Sequence, residues 1–75
     1  MAKYNGHKNY NHWNVSLWIN NDEGLYRRAK YLCKYYKKDE AAKLLFNELN
    51  DALITHTPDG VKYTITSIRQ ALVSL

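Results

Sequence analysis

The fold is decided by residues 20–54, NNDEGLYRRAKYLCKYYKKDEAAKLLFNELNDALI, which carry two amphipathic helix patterns in succession. In the first pattern the apolar residues recur at helical spacing: Leu25, Ala29, Leu32, Cys33 and Tyr36. Asn20 and Glu23 fit a capping box, and acidic side chains suit the positive end of a helix dipole. The sequence therefore predicts that a helix starts at this point.

The second pattern begins at Asp39, which we expect to cap a helix that runs to about Ile54. Its apolar stripe consists of Ala42, Leu45, Leu49, Ala52 and Leu53, with Phe46 beside them. Only a short link separates the two patterns, so we expect the helices to form a central antiparallel hairpin.

The segment before the hairpin, residues 13–19 (WNVSLWI), fits two structures. Trp13 and Leu17 are four positions apart, as on one face of a helix, but apolar residues at every second position also fit a strand. We favour a helix, which Asn11 could cap, because no neighbouring segment offers a hairpin partner.

The segment after the hairpin starts with a turn at residues 57–60 (TPDG). A last helix is predicted to begin near Thr64 or Thr66, because Ile65, Ile68, Leu72 and Leu75 share a face and Ala71 lies next to them. The sequence thus predicts a single all-α domain over residues 1–75, with an irregular N-terminal arm at residues 1–12. The alternative is an α+β fold with a short two-stranded sheet from residues 13–19 and 61–66.

The composition describes a small, moderately basic chain. It has 75 residues, with Lys+Arg 11 against Asp+Glu 7 and a net charge of +4, which favours acidic partners or phosphate. Cys33 is the only cysteine, so no internal disulfide can form. No apolar run approaches the roughly 20 residues that cross a bilayer, and the polar start lacks the apolar stretch of a signal peptide. We therefore expect a cytoplasmic protein that does not bind membranes.

Residues suited to catalysis or metal binding do not converge in the sequence. His7, His12 and His56 lack partner ligands at the spacing of a zinc site. Cys33 falls on the apolar face of its helix, where thiols are inert. The three glycines are scattered, so no phosphate-binding loop is present. We expect no enzymatic activity, no metal and no cofactor.

The feature most suited to function is a basic stripe on the first helix of the hairpin. It consists of Arg27, Lys30, Lys34, Lys37 and Lys38, with Arg28, Tyr31 and Tyr35 along one flank. Such a surface can grip phosphates, stack on bases or dock on an acidic protein groove. Trp18 is predicted to be partly exposed, where a tryptophan can anchor a partner, while Trp13 is expected in the core. The alternative interpretations are a solvated lysine face and a Trp18 packed against the N-terminal arm.

A longer motif runs through the N-terminal third of the chain. It combines Tyr4-Asn5-Gly6, Asn9-Tyr10, Trp13-Asn14-Val15, Leu17-Trp18-Ile19 and Asn21-Asp22-Glu23-Gly24-Leu25-Tyr26 into YNG…NY..WNV.LWI.NDEGLY. Over residues 4–26 the chain resembles a family of short proteins of unknown function encoded by phages, prophages and plasmids. The resemblance implies an accessory protein of a mobile genetic element.

The leading functional hypothesis joins this setting to the basic stripe. It is a non-enzymatic protein that binds a host protein or ribonucleoprotein complex and inhibits or redirects it, with an anti-defence (anti-CRISPR-like) inhibitor as its sharpest form. The alternative is a small basic protein that binds nucleic acid directly. A self-associating protein is the third hypothesis, because the helices carry apolar faces.

Overall fold

The computed structural model describes residues 9–75, which form four helices. They are α1 (Tyr10–Asn21), α2 (Glu23–Tyr35), α3 (Lys38–Asp51) and α4 (Ile65–Val73). In this part of the chain the extended structure is one isolated antiparallel bridge, between His56 and Lys62. The all-α prediction is confirmed. The α+β alternative is wrong, because residues 13–19 lie inside α1 and residues 61–66 hold only a bridge and the start of α4.

The N-terminal boundary differs from the prediction. Tyr10 to His12 form the first turn of α1, so the irregular arm predicted over residues 1–12 is wrong for these three residues. Residues 1–8 lie outside the described part of the chain. Within the described part, no helix is long and apolar enough to cross a bilayer.

The four helices pack in a closed arrangement in which each packs mainly against two others. α1 packs against α2 and α4, and α3 packs against the same two helices. Tyr36 and Lys37 link α2 to α3. Arg28 on α2 pairs with Glu48 on α3. The two residues are separated from the link by similar numbers of residues, as paired residues must be in an antiparallel hairpin. The most extensive contacts belong to α4, which closes the core over α1 and α3.

The core takes apolar side chains from every helix and from the loop before α4. Its buried members are Val15, Ile19, Ala29, Leu32, Ala41, Ala42, Leu45, Leu49, Val61, Tyr63, Ile68, Ala71 and Leu72. Tyr36 was predicted to share the apolar face of α2, but it is 44 % exposed. The reason is that α2 ends at Tyr35 and Tyr36 is extended, so the helical spacing no longer applies to it.

The caps of helices α1 and α2 each lie two residues away from the predicted ones. The cap of α1 is Asn9, whose side chain accepts from the His12 N–H at 3.0 Å, and not Asn11. The cap of α2 is Asp22, whose carboxylate accepts from the Leu25 N–H at 3.0 Å. Asn20 cannot cap α2 because it still lies in the last turn of α1.

Helices α3 and α4 start in different ways. α3 begins after Lys37 without a side-chain cap, so the expected cap at Asp39 is wrong. α4 begins after Thr64, as predicted, and Thr64 forms a reciprocal capping box with Ser67. The Ser67 N–H donates to Thr64 Oγ1 at 3.0 Å, and the Thr64 N–H donates to Ser67 Oγ at 3.0 Å.

The end of α3 explains why Ala52 and Leu53 leave the predicted apolar stripe. The Ile54 N–H donates to the Leu49 carbonyl and the Leu53 N–H to the Asn50 carbonyl, the two bonds of a Schellman motif. Leu53 therefore adopts a left-handed conformation, with φ of 62°. This turns the chain out of the helix and leaves Leu53 88 % exposed.

Candidate interaction surface

The basic stripe starts on the solvent-facing side of α2 and continues past its end, with Lys37 in the link and Lys38 at the start of α3, so the prediction that one helix carries the whole stripe is wrong for these two residues. Arg27, Arg28, Lys30, Lys34 and Lys37 are exposed, and Lys38 is half-buried. Tyr31 and Tyr35 on the flank are 51 % and 60 % exposed, so both rings can be reached from solvent. The helical spacing of α2 accounts for the exposure of Arg27, Arg28, Lys30 and Lys34, as the sequence predicts, but it does not apply to Lys37 and Lys38 beyond the end of the helix.

Arg28 is committed to a contact within the protein. Its Nε and Nη2 atoms donate to the two carboxylate oxygens of Glu48 at 2.8 and 2.6 Å, a bidentate pair that joins α2 to α3. These hydrogen bonds raise the pKa of the guanidinium above its ordinary value. The guanidinium carbon also lies 5.0 Å from the Tyr31 ring centroid. Arg28 is thus the stripe residue least ready to bind a partner.

The other cationic side chains differ in whether they form ion pairs, and the difference follows the residue type. Arg27 pairs with Glu23 one turn earlier at 2.7 Å, and Arg69 pairs with Asp39. All three arginines are therefore in ion pairs. In contrast, no salt bridge is present at any lysine in the described residues: Lys30, Lys34, Lys37, Lys38, Lys43 and Lys62. The lysines carry the positive charge that this surface can offer to an anion.

Tyrosine rings lie beside the two lysines at the centre of the stripe. Lys30 Nζ is 5.7 Å from the Tyr26 ring centroid, and Lys34 Nζ is 5.5 Å from that of Tyr35. The Tyr31 and Tyr35 rings are 4.9 Å apart and tilted by 56°. Tyr26 was not among the predicted site residues, although its position four before Lys30 could have indicated the contact.

A shallow groove of about 530 Å³ runs along part of the stripe. We call it the basic groove; it is lined by the cations Arg27, Lys30, Lys34 and Lys38 and by Tyr31, Cys33 and Leu75. Cys33 and Leu75 are partly buried and pack against the core. Lys37 is not in the groove and lines a separate depression with Arg69. Four predicted cations therefore come together, around an apolar lining that was not predicted.

Trp18 lies apart from the basic groove. It is half-buried on α1, and its indole N–H donates to Asp59 Oδ2 at 2.9 Å. It lines a different depression with Leu25, Ile54 and Pro58, which shares no residue with the groove. Trp13, expected in the core, is only half-buried.

A polar network that the sequence did not reveal holds the loop before α4 against α1. Asn14 is fully buried; its Nδ2 donates to Asp59 Oδ2 at 2.8 Å, and its Oδ1 accepts from Thr57 Oγ1 at 2.7 Å. The Thr57 hydroxyl in turn accepts from the Val61 N–H at 3.1 Å. Hydrogen bonds from Asn14 and Trp18 lower the pKa of the Asp59 carboxyl. The only sequence signal was the spacing of Asn14 and Trp18 on one face of α1.

Residues suited to metal binding do not cluster in the described chain. Residues 9–75 contain no group of three or more His, Cys, Asp or Glu side chains that could hold a metal ion. His7 lies outside that range.

The fold and the groove define a small all-helical protein with a lysine-rich surface groove. The chain belongs to the family of unknown function DUF7249, whose model matches residues 1–74. That match is much longer than the motif over residues 4–26, and it includes all four helices. No curated protein and no solved structure matches the chain.

Proposed function

We propose that the chain is a non-enzymatic accessory protein of a phage or another mobile element, which binds a host macromolecular complex and inhibits or redirects it. The observation that carries the proposal is the basic groove, where three lysines without ion pairs line an apolar depression. The mobile-element origin rests on the N-terminal motif. An anti-defence inhibitor acting in the host cytoplasm is the sharpest form of the proposal.

The charge pattern of the groove supports binding to an acidic surface. Lysine is a flexible, strongly hydrated point charge, so it adapts to anions without a fixed geometry. Cations gathered on one face also raise the rate at which a partner of opposite charge associates. The exposed Tyr31 and Tyr35 rings beside them are of a residue type enriched in binding hot spots.

The test is a paired pull-down from host cells with the unchanged protein and a Lys30→Glu, Lys34→Glu variant. Reversing two charges in the groove should remove the captured complex, because the variant repels an acidic surface. The matched control is Lys43→Glu, Lys62→Glu, which changes the net charge equally at positions outside the groove. If the groove variant captures the same proteins in the same amounts, with its helical circular dichroism unchanged, the groove is not the contact surface.

Direct binding of nucleic acid is the second candidate. Lys30 and Lys34 lie on one side of α2, and the Tyr35 ring beside them is 60 % exposed, an arrangement that suits phosphates and bases. A gel shift with the purified protein at low and physiological salt separates the two functions. Nucleic-acid binding should weaken steeply as salt rises, because the phosphates release counterions. Binding that is tight at low salt, weakens steeply towards physiological salt and is removed by Lys30→Glu, Lys34→Glu would favour this candidate.

A further inference from the structure

We infer that the basic groove takes an acidic protein segment that places an apolar side chain between its carboxylates. The inference rests on the proposed function and names the chemistry of the partner at the same site. Arg27, Lys30 and Lys34 follow one another at intervals of three and four residues, so they project from one side of α2. Lys38, at the start of α3, extends the row of cations past the link.

The spacing of the lysines sets the spacing of the carboxylates. Lys30 and Lys34 are four residues apart, which corresponds to about 6 Å along the helix axis. Two carboxylates on one face of a partner helix, at positions i and i+4, have the same separation. Arg27 is already paired with Glu23, so the partner carboxylates would meet the lysines first.

The apolar lining separates a protein segment from nucleic acid. Cys33 and Leu75 line the groove while packing against the core, so they offer apolar surface beside the cations. An aliphatic side chain gains from covering that surface, because apolar area is removed from water. Carboxylate and phosphate both lose hydration beside these cations, but the phosphate brings no aliphatic side chain to cover the apolar surface.

The tyrosines are also better prepared for carboxylates than for bases. The Tyr31 ring has the Arg28 guanidinium at 5.0 Å and the Tyr35 ring at 4.9 Å. The Tyr35 ring in turn has Lys34 Nζ at 5.5 Å. Stacking of a base on either ring would compete with these contacts, whereas a carboxylate that meets the lysine leaves the rings in place.

The experiment compares three labelled probes by fluorescence anisotropy at physiological salt. The first is a helical 16-residue peptide with Glu at positions i and i+4 and Leu at i+3 on one face. The second replaces each Leu by Ser, and the third is an oligothymidylate of 16 nucleotides. We expect the Glu/Leu peptide to bind at least tenfold more tightly than either of the other probes.

Two variants locate the binding. Leu75→Ser should reduce the affinity for the Glu/Leu peptide to the value for the Glu/Ser peptide. The affinity for the Glu/Ser peptide should not change. Cys33→Ser tests the same lining if Leu75→Ser lowers the thermal stability. Lys30→Glu, Lys34→Glu should remove binding of both peptides.

Equal binding of the two peptides, or tighter binding of the oligothymidylate, would overturn the inference. The outcome is distinguishable from failure of the proposed function. If neither peptide binds but the groove variant loses its complex in the pull-down, the inference falls and the proposed function stands. If the peptides bind as expected but the groove variant keeps its captured complex, the proposed function falls instead.

Discussion

Replacing Asn14 by Ala tests whether one buried amide holds the loop before α4 onto the helices. Asn14 is fully buried and bonds to both Thr57 and Asp59. Alanine removes these two hydrogen bonds and the longer one, 3.5 Å, to the Tyr10 hydroxyl, and it can keep the helical backbone of α1. The substitution therefore separates the polar network from the helix that carries it.

The expected loss in the free energy of unfolding follows from the polar groups that Asn14→Ala leaves without a partner. Thr57 is buried, and a buried hydroxyl that loses its acceptor costs about 1 to 3 kcal/mol. The space left by the amide adds roughly 1 kcal/mol, and the better helix propensity of alanine returns about half of that. The net loss is about 1.5 to 3.5 kcal/mol. A chain of 75 residues has a free energy of unfolding of about 4 to 11 kcal/mol, so the loss is a large share.

The measurement is urea unfolding followed by circular dichroism and by tryptophan fluorescence. The midpoint should fall without a change in slope, and the melting temperature should fall by on the order of 10 to 20 °C. Asn11→Ala is the control, because Asn11 lies on the same helix and is exposed; it should change stability by less than about 0.5 kcal/mol. If Asn14→Ala is as stable as this control, the loop is held by its apolar residues alone and the reasoning is wrong.

Three further predictions concern backbone conformation and pH. Leu53→Gly should be more stable than Leu53→Ala by about 1 kcal/mol in urea unfolding, because only the glycine lacks the Cβ that opposes a φ of 62°; equal stability would contradict this. Gly60→Ala should be destabilised by about 1 kcal/mol although space is open for a Cβ, because φ is 88°; a stabilised variant would contradict it. The folded-state pKa of Asp59 lies below its unfolded value, so the ionised carboxylate stabilises the fold above about pH 4. This stabilisation is lost as the pH falls through the folded-state pKa. Asp59→Asn should flatten that part of the stability profile, and an unchanged acid transition would refute the role of Asp59.

The hairpin could be predicted because its periodicity is strong. Leu32 and Leu45 occupy core positions that helical spacing alone identifies, and both are buried. The ends of the helices could not be placed as well. Asn20 and Asp22 are both good caps, and the choice depends on where α1 ends, which is set by tertiary packing and not by the local sequence.

Only the cationic part of the candidate site was predicted from the sequence. The exposed cations follow from the pattern of α2, since Lys30 and Lys34 lie opposite Leu32. The apolar lining could not be predicted, because Leu75 comes from the other end of the sequence and reaches the groove only when α4 packs on α3. The same limit applies to the bonds of Asn14 to Thr57 and Asp59, which are more than 40 positions away.

The division between arginines and lysines makes binding separable from folding on this surface. Arg28 joins α2 to α3 through Glu48, so its loss would disturb the hairpin as well as the charge. Lys30 and Lys34 have their ammonium groups beside tyrosine rings of their own helix and form no salt bridge in the described residues, so we expect their loss to remove charge without breaking a link between helices. A variant that changes these lysines therefore reports on binding, whereas a variant that changes Arg28 reports on both. For that reason the proposed binding function of this protein is best tested at the lysines, and not at the arginines beside them.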